Sequence, residues 1–176
     1  METLTELFNN PDILADYATQ INLSASLEII RSDRISSKDS SEQGGYFCAV
    51  SKKYFSSIGN AYPLLFIHDL YDSQEWDKNK PPFNNFNEKE WKTYLSSIWI
   101  PEYLAINETG QVLHKTVYEA DFRADWLQIA NPLAELAFQS PIQTIIRYGM
   151  IEAWNFSDYL IETETEYIDF QYWTTA

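Results

Sequence analysis

Phe86-Asn87-Glu88-Lys89-Glu90-Trp91, followed by the segment that runs on to Tyr118, is the stretch from which the fold is read. Asn87 suits an N-cap, Glu90 stands three residues on to return the capping bond, and Phe86 and Trp91 are spaced as a hydrophobic staple. Trp91, Tyr94, Leu95 and Ile98 then recur at i, i+3, i+4 and i+7, which predicts one helical stripe for burial, with Pro101 as its stop. Beyond it, Tyr103-Leu104-Ala105-Ile106 and Val112 to Tyr118 flank Asn107-Glu108-Thr109-Gly110. Gly110 can adopt the positive φ that a short loop needs, so this pair reads as a β-hairpin.

Working outward toward the N-terminus, Thr5 to Phe8 reads as a short turn, and Asn10-Pro11-Asp12 carries the cap, proline and acid of a helix start. Ile13, Leu14, Tyr17, Ala18 and Ile21 continue one face, predicting a helix over 11–21. Leu27 to Arg31 and Tyr46 to Ser51 read as strands, separated by a polar, glycine-ended mobile loop over 36–45. Pro63-Leu64-Leu65-Phe66-Ile67-His68 is an unbroken apolar run of strand length, read as a central strand covered on both faces. Asp72 to Asn85, with Pro81-Pro82, reads as an exposed connection.

Toward the C-terminus, Asn131-Pro132 and Ser140-Pro141 repeat the cap-then-proline signal, whereas Asp125 to Ala130 fits no single pattern. With Gln143 at the capping-box position, Ser140 predicts a long helix whose face is Ile142, Ile145, Ile146, Gly149, Met150, Ala153 and Trp154. From Tyr159 the period becomes two. Tyr159, Ile161, Thr163, Thr165 and Tyr167 fall on one side, and Glu162, Glu164 and Glu166 on the other. Ile168, Phe170 and Tyr172 share the glutamates' parity, so a bulge or a switch of buried face must intervene within an acidic and aromatic strand over 159–173. These elements predict a single α+β domain over 1–176: a mainly antiparallel sheet of five or six strands with helices packed on one face.

Composition narrows the function. The chain has 176 residues, 45% of them hydrophobic, enough to build one core without cross-links. With 26 Asp and Glu against 12 Lys and Arg, the formal charge is -14, a field that repels nucleic-acid phosphates and anionic lipid. The basic residues are dispersed, with Lys52-Lys53 and Lys78/Lys80 the close pairs, so direct nucleic-acid binding is not expected and a basic protein partner is. Cys48 stands alone in an apolar setting and reads as a small buried hydrophobe. No run approaches the roughly 18 apolar residues of a membrane span, and no leader precedes the first element, so the expected setting is the cytoplasm.

Catalytic patterns are absent. There is no nucleophile elbow, no phosphate-cradling glycine loop, and no histidine pair at metal-ligand spacing. No cofactor or metal is expected. His68 and His114 could still serve a small enzyme or ligand-binding pocket if the fold brought them together. The stronger candidate is the C-terminal segment, where Tyr148 to Ala176 holds six acids and neither Lys nor Arg. Glu162, Glu164, Glu166 and Asp169 supply charge for steering, and Tyr167, Tyr172 and Trp173 supply aromatic anchors for an interface. The expected function is therefore a non-enzymatic acidic protein-binding module, as in an immunity protein, an inhibitor, or an accessory subunit of a defence or nucleic-acid-processing assembly. A homo-oligomer burying the aromatic end of the last strand is a further possibility.

Overall fold

A computed structural model describes residues 3–36, 43–76, 88–104, 110–126, 133, 136–151, 153 and 155–174. It contains one antiparallel sheet of six strands, β1 (Ile30–Ser36), β2 (Gln43–Ser51), β3 (His114–Thr116), β4 (Ile142–Tyr148), β5 (Phe156–Thr163) and β6 (Glu166–Thr174). Their spatial order is β1-β2-β6-β5-β4-β3, so the last strand in sequence lies between β2 and β5. The α+β class and the antiparallel sheet are as the sequence patterns predict.

The strand alternation divides the side chains between two cores. Tyr46, Cys48, Val50, Tyr148, Leu160 and Tyr167 face the larger one, together with helices α1 (Leu4–Asn9), α2 (Pro11–Thr19) and α4 (Ile58–Trp76). Phe47, Ala49, Ile145, Tyr159, Ile161, Ile168, Phe170 and Tyr172 face the other side of the sheet. There Phe122 of α7 (Glu119–Trp126), with Leu133, Ala137 and Phe138, forms a smaller cover. The main helical layer occupies one face, and this thinner layer is an addition to it.

Local chemistry accounts for several elements. Thr3 Oγ1 accepts the Glu6 N–H at 3.2 Å and Glu6 returns a bond to the Thr3 N–H, a capping box that turns the expected N-terminal turn into α1. Pro11 starts α2, whose inward residues are Leu14, Ala15 and Ala18, while Tyr17 is exposed. A four-residue helix, α3 (Leu23–Ser26), then precedes β1, which begins at Ile30 rather than Leu27 and runs on to Ser36. At the sheet's edge, the Asp33 carboxylate accepts the N–H of Arg34 at 2.7 Å, occupying a donor that another strand could otherwise use. Gly44 and Gly45 belong to β2, so the loop expected over 36–45 is shorter at both ends, and its centre lies outside the described residues.

Four readings are overturned. The run Pro63 to His68 lies inside the 19-residue helix α4, with Gly59 and Asn60 in its first turn and Pro63 within it. Every residue from Ala61 to Leu70 is buried, so the polar stripe that would reveal a helix is missing. The helix expected to close at Pro101 continues: α5 (Glu88–Tyr94) passes through a π-helical turn (Leu95–Trp99) into α6 (Ile100–Tyr103). The wider i→i+5 turn brings Trp99 over Leu95 and leaves Ile98 exposed.

The proposed hairpin is likewise not formed, because Tyr103 is helical and β3 pairs with β4, His114 opposite Tyr148 and Thr116 opposite Ile146. Gly110 does adopt φ 79°. Finally, Ile142 to Tyr148 is strand β4 rather than a helix, consistent with the β-branched Ile142, Thr144, Ile145 and Ile146. The expected N-cap Asn87, the staple residue Phe86 and the cap at Asn131-Pro132 lie outside the described residues. Among the described residues, no helix is long and apolar enough to cross a membrane.

Candidate functional site

The expected acidic strand is two strands joined by the turn Glu164-Thr165. Opposite pairing of Glu162 with Tyr167 and Ile161 with Ile168 explains the parity switch, since the chain reverses between Thr163 and Glu166. The reversal is braced from outside. Ser140 Oγ lies 2.8 Å from Thr165 Oγ1, the Glu164 N–H donates to the Pro141 carbonyl at 3.0 Å, and Thr163 Oγ1 accepts the Glu166 N–H at 3.0 Å. The Ser140-Pro141 pair that resembled a helix cap thus supports a neighbouring β-turn.

Glu162, Glu164 and Glu166 consequently do not form a row. Glu162 shares a sheet face with Tyr167 and receives Lys52 Nζ at 2.6 Å, an ammonium that also bonds Gln143 at 2.9 Å and lies over the Tyr167 ring. Burial and Glu162 raise the Tyr167 phenol above its ordinary pKa, and Lys52 opposes them. Glu166 faces the other side of the sheet, where Arg31 Nη2 reaches it at 2.7 Å. The same guanidinium donates to the carbonyls of Leu136 and Ala137 and stacks over Phe47. Glu164 is exposed at the turn.

Of the remaining expected contact residues, Tyr167, Tyr172 and Asp169 are buried. Trp173 is half-buried with the Arg34 guanidinium 5.2 Å from its ring centre. The structure therefore separates the seven residues: a charged rim at the hairpin turn, aromatic packing inside, and one acid in the larger core.

That acid belongs to the chemically most unusual part of the fold. Asp69 of α4, Asp158 of β5 and Asp169 of β6 are each 1% exposed. Asp158 stands opposite Gln171 and Asp169 opposite Leu160, so the two carboxyls are diagonal neighbours on the face that α4 covers. Tyr148 donates its hydroxyl to Asp169 Oδ1 at 2.9 Å. Among the described residues, Asp158 Oδ1 and Oδ2 and Asp169 Oδ2 have no hydrogen-bond partner.

Burial, reinforced by Asp169 and Asp69, pushes the Asp158 carboxyl well above the usual carboxylate range, with Arg147 pulling the other way. Burial and then Asp69 raise Asp169 likewise, against the Tyr148 hydrogen bond, and the Tyr62 phenol is raised by its burial and by Asp169 and Asp158, against a hydrogen bond with Tyr148. Gly149, at φ 71°, turns the chain beside this group, where an added Cβ would sit 3.5 Å from Asp158 Oδ2. Gly149→Ala is expected to cost about 1–2 kcal/mol through the left-handed backbone alone, read as a lower urea midpoint.

The histidines do not converge. His68 Nδ1 lies 2.7 Å from the Tyr46 hydroxyl on β2, whereas His114 is on β3, packed against Phe8 with Nδ1 3.2 Å from the Val112 carbonyl. Four strand spacings of roughly 4.8 Å, about 19 Å in all, separate β2 from β3. Among the described residues, no group of three or more His, Cys, Asp or Glu is placed to hold a metal ion. Cys48 is buried, as expected, with its Sγ 3.6 Å from the Leu65 carbonyl.

Asp158, Tyr62 and Tyr148 were not anticipated as a group. The available signal was weak: Asp158 and Asp169 each stand next to aromatic or aliphatic residues in a period-two segment, which places an acid on a face that has to be covered. Comparison with protein-family models, with curated proteins and with solved structures finds no match.

Proposed function

We propose that the chain is a non-enzymatic acidic binding module whose partner is a basic protein, in the manner of an immunity or inhibitor protein or of an accessory subunit. The observation that carries this reading is how the protein uses its cations. Arg31, Lys52, Lys92 and Arg123 pair with Glu166, Glu162, Asp16 and Glu119 of the same chain. Each pair is neutral, so the net charge of -14 is carried by the remaining residues. Such a field accelerates encounter with a basic surface and disfavours nucleic acid. The β5–β6 turn is the proposed contact, with Glu164 at its tip and Glu162 and Glu166 flanking it on opposite faces. Asp169, Tyr167 and Tyr172 support this rim from within, and Trp173 borders β2. A cytoplasmic setting accompanies the proposal, in keeping with the lone thiol of Cys48.

The test is affinity capture with the full chain from its native host at low and high salt, with identification and stoichiometry of what is retained. A basic protein held in stoichiometric amount, released by salt, and bound about 5- to 10-fold more weakly by Glu164→Lys is the expected result. Retention indifferent both to salt and to that substitution would overturn the electrostatic reading. Glu164 is the appropriate probe because reversing Glu162 or Glu166 would also break an ion pair within the fold.

A further inference from the structure

We infer that Asp158 and Asp169 form a proton-binding site between α4 and the sheet, and that releasing the proton loosens α4. This inference concerns the interior and goes beyond the partner reading. Its starting point is geometry: two carboxyls from adjacent strands share one buried face, and among the described residues three of their four oxygens have no hydrogen-bond partner. An ionised carboxylate only accepts hydrogen bonds, so the pair has no internal remedy while both members are charged. One proton converts an acceptor into a donor and removes the repulsion between the two. The fully buried Tyr62 phenol is a further polar group in the same layer, with Tyr148 as its hydrogen-bonding neighbour.

The surroundings favour the protonated form. Asp69 and Tyr62 from α4 and Tyr148 from β4 lie on the pair's side of the sheet, and the same core holds His68 of α4 and Tyr46 of β2, which bond each other. Arg147 is the cation acting on Asp158, and it lies on the opposite face of β4, where its Nη2 donates to the Ala153 carbonyl. A metal ion does not fit the arrangement, since no group of three ligating side chains is placed for one among the described residues. Tyr148 holds one oxygen of Asp169, leaving the proton to serve the others.

The linkage has a definite sign. A carboxyl that keeps its proton in the folded state to higher pH than in the unfolded chain stabilises most below the unfolded pKa, and that stabilisation is lost as pH rises through the folded value. The protein should therefore weaken steadily from the ordinary carboxylate range upward. General surface repulsion gives a slope of the same sign, so the comparison must be with Asp158→Asn/Asp169→Asn, which retains nearly the same shape and leaves the surface charges in place.

Thermal unfolding of the full chain and this double variant between about pH 5 and pH 9 makes that comparison. The variant is expected to melt at least about 4 °C higher at the alkaline end, with the gap closing toward the acid end. Amides of α4 should exchange faster with rising pH than intrinsic chemistry requires in the wild type, and not in the variant. Parallel melting curves would overturn the inference. An independent readout needs no variant: infrared titration of the wild type should show a protonated-carboxyl C=O band persisting at neutral pH and disappearing at higher pH. Absence of that band at neutral pH would equally overturn it.

Discussion

Phe122→Ala is expected to remove about 3–5 kcal/mol of stability and lower the melting temperature by roughly 6–20 °C. Phe122 is fully buried and makes edge-on contacts with Tyr159 (4.8 Å), Phe170 (5.7 Å) and Phe138 (5.8 Å). These rings link α7 to the inner face of β5 and β6. An alanine there creates a cavity that Phe138 and Leu133 can fill only in part, because both already pack in the same cluster. The lost ring pairs add to the transfer term. Urea unfolding followed by both tryptophan fluorescence and far-ultraviolet circular dichroism provides the measurement. A loss below about 1 kcal/mol would mean that the thinner layer does not contribute to the global stability of the sheet.

A comparable loss, again about 3–5 kcal/mol, is expected for Phe8→Ala on the opposite side. Phe8 is fully buried, stacks on Tyr148 at 5.5 Å, meets Tyr62 edge-on at 5.3 Å and touches the His114 ring at 5.2 Å. Its carbonyl also accepts the Val112 N–H at 3.0 Å, fastening α1 to the approach of β3. Tyr62 and Tyr148 are two of the groups around Asp158 and Asp169, so the cavity has a consequence that Phe122→Ala lacks. Space beside those rings admits solvent, and solvent relaxes the condition that keeps the carboxyls protonated. The pH dependence of unfolding should therefore flatten in Phe8→Ala and remain unchanged in Phe122→Ala. Equal slopes in both variants would separate the aromatic packing from the carboxyl pair.

The class of fold is legible because it rests on periodicity. Tyr46 to Ser51 is a short apolar run of strand length, the segment from Tyr159 shows period two, and even the misfit in parity after Glu166 is informative, since it marks the hairpin turn. Legibility fails where burial is complete. Ala61 to Leu70 is covered on all sides, so the helical period vanishes and only an apolar run of strand length is left, with Pro63 adding to the misdirection. At Ser140-Pro141 the local signal is real but its object is remote: the hydroxyl meets Thr165, twenty-five residues away, instead of its own chain's next turn. The hairpin expected around Gly110 fails for a related reason, because β3's partner is β4.

The candidate site follows the same division. Glu162 and Glu166 are visible in the sequence as acids of unusual spacing, but their cations, Lys52 and Arg31, come from distant elements. Asp158 and Asp169 cannot be distinguished by composition among 26 acids. What sets them apart is that β5 and β6 are central strands and that α4, packed on β6, brings Asp69 to both carboxyls, and these facts arise from pairing across the chain.

The central place of β6 also governs the order in which the protein can be made. β2 ends at Ser51, and β6, the neighbour that covers its free edge, begins at Glu166, about 115 residues later. At roughly 5–20 residues per second, a ribosome delivers that neighbour about 6–23 s after β2 has emerged. Through this interval the β1–β2 pair presents an unpaired edge containing Tyr46, Phe47 and Val50, without the β6 side chains Tyr167, Ile168, Phe170 and Tyr172 that complete the two cores. The edge that Asp33 guards is the outer one, and the inner edge has no such protection until β6 arrives. Nascent-chain aggregation, and any demand for a chaperone, should thus be concentrated in the time before the C-terminal hairpin is synthesised, when folded stability does not yet bear on solubility.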